Sequence, residues 1–309
     1  MANGRKSVIE ENRDTTEHLK SVGEGEGSLA DIGYTALILA SLDRPGVSFQ
    51  KYEHHLKILA LDLEAEALES STAVDRGRAL ASVLHGRHEY TGNQEYYEDL
   101  QNANLMSVID TRKGLPVSLS ILYMHAARAQ GWHIEGLAFP QHFLIRLYGA
   151  EPRDGQVILD PFNDGEILDA RDLRNMIQKF SHAEADLKPD YYTAISDREI
   201  LVRLLNNIKI RCLKASDLGQ AINILSRLVM IDPQEIQHHY ELGMLLAHVG
   251  KEDLARESLN YCLDHSEKFT QNDLIEQQVL NTLKSLDKLA KENHSENHGD
   301  NILQLPETE

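Results

Sequence analysis

The chain has 309 residues, 41% of them hydrophobic, and a formal net charge of −18 at pH 7, which is enough for about two domains with buried cores. This acidic balance argues against nonspecific nucleic-acid binding, because that mode of binding needs a basic surface to displace counterions. No run of 18 apolar residues occurs and no apolar leader opens the chain, so neither a membrane span nor a secretory signal is predicted.

The first part of the chain is expected to be helical after a polar start. Residues 1–27 are rich in Glu, Gly and Ser, which predicts a disordered tail because such a composition cannot form a core. Apolar residues at helical spacing predict three helices within 28–84, the first ending near the breaker at 43–46. Residues 88–104 are polar and aromatic without a steady period, so they are predicted to form a long surface loop.

A nearly uniformly apolar helix is predicted at 117–130, which is typical of a helix buried within a domain. Pro116 suits its first turn, where no intrahelical N–H is lost, and Gly131 suits its end. Strands are predicted at 135–139, 142–148 and 156–160, and a further helix at 170–180.

The last part of the chain, residues 195–290, is predicted to be all helical and to contain a repeat. Ala221 and Ala255 are 34 residues apart, as are Leu225 and Leu259, and Pro233 follows the first unit. A period of 34 with Ala at the helix contact resembles tetratricopeptide repeats; the alternative is two unrelated helical hairpins at a coincident spacing. The polar residues 291–309 are predicted to be a second disordered tail.

Two ionisable side chains fall on neighbouring predicted strands. If Tyr148 faces Gln156, His142 and Asp160 lie diagonally on one face, about 7–8 Å apart at the backbone and within side-chain reach. A register shifted by one residue would separate them onto opposite faces. A carboxylate so placed can accept a hydrogen bond from an imidazole and fix its tautomer. Taken singly, they would be a strand histidine and a turn-forming aspartate.

This order of buried helix, His-bearing strand and Asp-bearing strand resembles the transglutaminase-like branch of the papain-type fold. The resemblance implies a triad in which His142 and Asp160 act with a Cys at the helix start, where this chain has Pro116. Proline has no ionisable group and cannot act as the nucleophile. Ser118 lies roughly 200° around the helix from position 116, and Ser120 is displaced by about 6 Å along the axis.

The remaining candidate nucleophiles and ligands are also unpromising. Cys212 and Cys262 fall on predicted helices at packing positions, so they are interpreted as reduced thiols in a cytoplasmic protein. The histidines do not combine with Cys or carboxylates at metal-ligand spacing. No metal or cofactor is predicted.

Three motifs are more specific: Arg112-Lys113-Gly114-Leu115-Pro116, Phe139-Pro140-Gln141-His142-Phe143 and Leu159-Asp160-Pro161-Phe162. With their spacing they resemble the SirB family, in which some members carry Cys at the position of Pro116 and many carry Pro. The resemblance implies an α+β fold, with a papain/transglutaminase-like core over 28–194 followed by all-α tetratricopeptide-like helices over 195–290.

Two functions are compatible with these residues. The first is a non-catalytic transglutaminase-like protein whose C-terminal helical repeats bind a protein partner, and it accounts for Pro116. The alternative is a peptidase- or amidase-like hydrolase that uses His142 and Asp160 with water or a nucleophile other than Cys. It accounts for the retention of both side chains. The sequence leaves the partner, the substrate and the oligomeric state open.

Overall fold

A computed structural model describes residues 8–25, 31–180, 187–265 and 273–299. The chain divides into two units, Met1–Ala215 and Ser216–Glu309. Among the described residues, no helix is both long enough and apolar enough to cross a membrane.

The helices of the first unit have clear local start signals. Asp31 accepts a hydrogen bond from the backbone N–H of Tyr34, and Asn104 accepts one from Ser107, each at the first turn of a helix. Such caps satisfy N–H groups that have no partner within the helix. The helices are α1 (Val8–Glu24), α2 (Ile32–Ser41), α3 (Phe49–Glu66), α4 (Ala73–Ala81), α5 (Leu105–Thr111), α6 (Pro116–Ala129), α7 (Ala170–Phe180) and α8 (Asp197–Lys214).

Two sheets accompany these helices. A short parallel pair joins β1 (Thr91–Gly92) to β2 (Lys113–Gly114). An antiparallel five-stranded sheet has the order β6-β5-β4-β3-β7. Its strands are β3 (Ile134–Leu137), β4 (Leu144–Tyr148), β5 (Gln156–Asp160), β6 (Glu166–Leu168) and β7 (Ala194–Ile195).

The central helix of the first unit is α6, which packs against α2, α3, β3 and β4. It begins at Pro116, and Gly131 follows its end with a φ of +70°. Eleven of its side chains are buried. The prediction of a buried helix that starts at Pro116 is therefore confirmed.

The register of β4 and β5 agrees with the prediction, because Tyr148 pairs with Gln156. The start of β4 differs from it. The strand begins at Leu144, and His142 lies in the preceding turn, where Gln141 has a φ of +60°. This left-handed residue breaks the extended conformation just before His142.

A helix occupies much of the predicted amino-terminal tail. In α1, Leu19 and Val22 are 1% and 5% exposed. The side chain of Arg198 donates hydrogen bonds to the backbone oxygens of Val22 and Gly23, at 3.2 and 3.0 Å. The polar composition of this segment does not predict the helix, and distant contacts stabilise it. Residues 1–7, 26 and 27 lie outside the described residues.

The boundary between the two units lies after α8 and not at 194/195 as predicted. Arg128 on α6 forms a bidentate ion pair with Asp197 at the start of α8, at 2.7 and 2.9 Å. Two further arginines of α8 donate to backbone oxygens of the first unit. Arg203 donates to the oxygen of His142, and Arg211 donates to the oxygen of Tyr97. These long-range contacts agree with the assignment of α8 to the first unit.

The second unit consists of α9 (Leu218–Ile231), α10 (Ile236–His248), α11 (Glu252–Asp264) and α12 (Asp273–Gly299). Ala221 and Ala255 are fully buried. Gly243 allows close approach of α10 and α11, since a Cβ there would lie 2.7 Å from the Leu259 side chain. Helix α12 includes residues 291–299, which were predicted to be disordered, and 300–309 lie outside the described residues.

Candidate functional site

Asp160 ends β5 and caps the short 3₁₀ turn Pro161–Asn163. Its side chain is 1% exposed. Oδ1 accepts a hydrogen bond from the backbone N–H of Phe162 at 3.0 Å, and Oδ2 accepts one from Asn163 Nδ2 at 2.7 Å. A buried carboxylate needs such donors because an unpaired charge in the interior is costly. The aspartate is thus held rigidly by its own loop.

His142 is held from the other side. The Arg203 guanidinium stacks on the Phe143 ring at 5.2 Å and donates from Nη2 to the backbone oxygen of His142 at 2.6 Å. These contacts position the turn so that His142 Nε2 lies 2.8 Å from Asp160 Oδ1. The predicted contact between the two side chains is confirmed, and their catalytic role stays a prediction.

The hydrogen bond to Asp160 determines which imidazole nitrogen of His142 is available to bind a ligand or to accept a proton. Because a carboxylate oxygen can only accept, His142 Nε2 carries a proton in this contact. Among the described residues Nδ1 has no hydrogen-bond partner. Nδ1 is therefore the nitrogen that can meet a ligand or take a proton from one.

A cleft of about 330 Å³ lies beside the pair. Its lining combines apolar side chains with carboxylates, amides and one lysine. The lining residues are His142, Asp160, Phe162, Asn163, Glu166, Leu168, Asp172, Asn175, Met176 and Lys179. The volume is at the lower end of the range for small-molecule sites and also suits a few side chains of a peptide.

Pro116 is buried at the first position of α6 and is not among the described residues that line this cleft. Ser118 Oγ accepts from the Leu115 N–H at 2.9 Å and donates to the Asn102 oxygen at 2.7 Å, so it serves as a helix cap. Ser120 is fully buried, and its Oγ has no hydrogen-bond partner among the described residues. Neither hydroxyl is paired with His142.

The two cysteines are equally unsuited to act with His142. Cys212 lies on α8 and Cys262 on α11, and both are fully buried. Burial raises the pKa of the Cys262 thiol to about 12, which disfavours the reactive thiolate. In the part of the chain that the structure describes, no three His, Cys, Asp or Glu side chains are grouped to hold a metal ion.

Sequence reasoning missed two residues that organise the site, Arg203 and Asn163. Asn163 follows Asp160 by three residues, a spacing at which a turn-forming aspartate could have suggested the contact. Arg203 lies 61 residues from the oxygen that it binds, and no local pattern marks it.

Comparison with known proteins identifies both parts of the chain. The profile of the transglutaminase-like superfamily matches residues 50–206, and a tetratricopeptide repeat profile matches residues 208–280. These matches confirm the predicted fold class, an α+β core followed by tetratricopeptide helices.

Similar proteins occur in bacteria and in animals. A UPF0162 protein of Xylella fastidiosa is 29% identical over 73% of this chain and 80% of its own length. A UPF0162 protein of Vibrio cholerae is 26% identical over 73% of this chain and 83% of its own length. Human F-box only protein 21 is 27% identical, over 53% of this chain and 24% of its own length.

Proposed function

The chain belongs to the transglutaminase-like superfamily, and on that premise we propose that it is a non-catalytic, cytoplasmic member whose tetratricopeptide helices bind a protein partner. The three motifs around Pro116, His142 and Asp160 support its finer assignment to the SirB family. The transglutaminase-like core is then without catalytic activity, and the tetratricopeptide helices bind the protein partner.

The observation that carries the non-catalytic half is Pro116 at the first turn of buried α6. A proline supplies neither a thiolate nor a hydroxyl. The neighbouring Ser118 is committed to capping and Ser120 is sealed from solvent. In the part of the chain that the structure describes, no nucleophilic side chain is therefore hydrogen-bonded to the pair of His142 and Asp160.

The interaction half rests on the tetratricopeptide match over residues 208–280, because such repeats generally mediate protein–protein contacts. The match to human F-box only protein 21 covers only 24% of that protein. A region similar to about half of this chain thus also occurs as one part of a much longer protein, which supports its use as a module.

A second candidate function is favoured by the intact pair. In a peptidase- or amidase-like hydrolase, His142 Nδ1 would take a proton from a water molecule in the cleft while Asp160 holds Nε2. This reaction needs no side-chain nucleophile.

The test uses the purified full chain. We expect no peptide hydrolysis and no amine incorporation into glutamine peptides above the level of a His142→Ala variant. Either activity in the unaltered protein, if His142→Ala abolishes it, would refute the non-catalytic proposal, and peptide hydrolysis in particular would establish the second candidate.

A complementary variant, Pro116→Cys, tests the origin of the site. If Pro116 stands where a triad cysteine once met His142, a thiol at position 116 should be alkylated faster than the same thiol in a chain that also carries His142→Ala. Pro152→Cys is the matched control, because Pro152 also stands at the first position of a helical segment, the 3₁₀ turn Pro152–Asp154, but is exposed. If the alkylation rate of Pro116→Cys is the same with and without the His142→Ala change, descent from a cysteine triad would be contradicted.

The interaction half is tested by photo-crosslinking in cells. A photoreactive amino acid replaces Leu254 on α11, which is 51% exposed, and in a control chain replaces Leu68, which is 83% exposed in the first unit. We expect one reproducible protein adduct from position 254 and none from position 68. Absence of an adduct from several exposed positions of the second unit would refute the assignment of partner binding to the repeats.

A further inference from the structure

An exposed aromatic loop lies in the first unit between β1 and α5. Residues 94–101, here called the tyrosine loop, are all exposed. Tyr96 is 61% exposed, Tyr97 38% and Leu100 37%. Three large apolar side chains on one short exposed loop are unusual for a solvated surface, and tyrosine is enriched where proteins bind one another.

Two buried amides hold this loop in one conformation. Asn93 and Asn102 are 8% and 2% exposed, and Asn93 Nδ2 donates to Asn102 Oδ1 at 2.9 Å. Asn93 Oδ1 accepts from the Tyr96 N–H at 3.1 Å, and Asn102 Nδ2 donates to the Tyr96 oxygen at 2.7 Å. Both backbone groups of Tyr96 are thus satisfied while its ring stays in solvent. Such pre-ordering lowers the entropy lost on binding.

The loop is continuous with the cleft beside His142. The buried Arg211 guanidinium stacks on the Tyr97 ring at 5.3 Å and donates to the Tyr97 oxygen at 3.1 Å. The rings of Tyr97 and Phe162 pack in a T-shaped arrangement with their centroids 5.8 Å apart. The rings of Phe162 and His142 do the same at 6.0 Å. Phe162 lines the cleft. The tyrosine loop therefore lies directly beside the cleft, on the side where Phe162 is.

Charge on this surface is mainly negative. The carboxylates are Glu95, Glu98 and Asp99 on the loop and Glu166 and Asp172 in the cleft. The cations are Lys179 in the cleft, Arg203 behind the His142 turn, and Arg211 and Lys214, which lie 3.3 and 3.8 Å from Glu98. The whole chain also carries −18. A ligand with positive charge and apolar side chains therefore complements both the field and the aromatic groups.

We propose that the tyrosine loop and the adjoining cleft form a docking surface for a basic protein segment with apolar side chains. Apolar side chains of the segment contact Tyr96 and Tyr97 and enter the cleft over Phe162 and Met176. Its Lys or Arg side chains pair with the carboxylates. This surface belongs to the transglutaminase-like core, so it is independent of partner binding by the helical repeats and of any chemistry at His142.

The test measures fluorescence anisotropy of labelled dodecapeptides with the full chain. The probes alternate Leu with Arg, Leu with Glu, and Gly with Arg. We expect the Leu/Arg peptide to bind at least tenfold more tightly than either of the others. Tyr96→Ala, which changes no charge, should weaken it about tenfold, since exposed aromatic anchors dominate such interfaces. Glu95→Gln should weaken it about threefold, and more at low salt than at high salt.

Leu68→Ala is the matched control, because it removes an 83% exposed apolar side chain elsewhere on the same unit. This variant should bind the Leu/Arg peptide with the same affinity as the unaltered chain. The proposal would be overturned if the Leu/Arg peptide bound Tyr96→Ala within twofold of its affinity for the unaltered chain. It would also be overturned if the Gly/Arg peptide bound the unaltered chain as tightly as the Leu/Arg peptide, because the contact would then be purely electrostatic. Sedimentation of each variant is measured in parallel. A dimer that Tyr96→Ala dissociates would overturn it too, by identifying a second copy as the occupant.

Discussion

Replacement of Asp160 by alanine should destabilise the transglutaminase-like unit by about 3 kcal/mol. The carboxylate is 1% exposed and accepts from the Phe162 N–H, the Asn163 amide and His142 Nε2. Alanine removes every acceptor at once, so the donors around it lose their partner together.

The magnitude follows from which of these donors water can reach. Asn163 is exposed, so its amide finds water and adds little. The Phe162 N–H and His142 Nε2 are buried or nearly so, and each unsatisfied buried donor costs roughly 1–3 kcal/mol. The adjoining cleft admits some water to His142, which places the sum in the lower half of the range of about 2–6 kcal/mol, near 3. Asp160→Asn keeps one oxygen as an acceptor and should cost about 1 kcal/mol, from the weaker neutral hydrogen bonds.

Urea unfolding followed by tryptophan fluorescence isolates the relevant unit. Trp132 is the single tryptophan of the chain, lies in the first unit and is 9% exposed. Asp164→Asn is the control, because Asp164 lies in the same loop with a side chain 53% exposed. Its φ of +59° also suits asparagine. The control should stay within about 0.5 kcal/mol of the unaltered protein. A cost below about 1 kcal/mol for Asp160→Ala would refute the argument from unsatisfied donors.

Three further predictions use the same unfolding measurement. Arg128→Ala removes the bidentate partner of a carboxylate that is 3% exposed at the start of α8 and should cost about 3 kcal/mol; a neutral result would mean that the pair is solvated. Gly165→Ala should cost at least about 2 kcal/mol, because φ is +78° and the added Cβ would lie 2.7 Å from the Tyr123 hydroxyl. Gly46→Ala is its control, with a φ of +83° but nothing within 4 Å, and a cost equal to that of Gly165→Ala would contradict the steric part. Burial lowers the pKa of His55 from 6.5 to about 4, so the unfolded chain binds this proton more readily. The stability from neutral His55 is complete above pH 6.5 and is lost as pH falls through about 4, and His55→Gln should flatten the decline of the urea midpoint between these values.

The features that the sequence determined by itself are those written in local patterns. Pro116, Gly131 and a nearly uninterrupted apolar run are sufficient to specify a buried helix and both of its ends. The alternation along β4 and β5 and the turn between them predict the register that pairs Tyr148 with Gln156. The 34-residue spacing from Ala221 to Ala255 likewise predicts the helical repeats, because each repeat is a short-range unit.

The approach of His142 to Asp160 was predictable for the same reason, since the register places their backbones near each other. The exact start of the strand was not, because the positive φ of Gln141 has no signature in a residue type that normally avoids it. Tertiary contacts of the turn, through the Arg203 guanidinium, hold this conformation.

Only the tertiary structure decided where α1 and α8 belong and how the tyrosine loop is presented. Arg198 binds a backbone oxygen 176 residues away, Arg203 one 61 residues away and Arg211 one 114 residues away. Periodicity reports which face of an element is apolar, but it does not report which distant carbonyl a single charged side chain meets. Three arginines on one helix therefore join the amino-terminal helix, the His142 turn and the tyrosine loop to the core, and local sequence patterns carry no record of these partners.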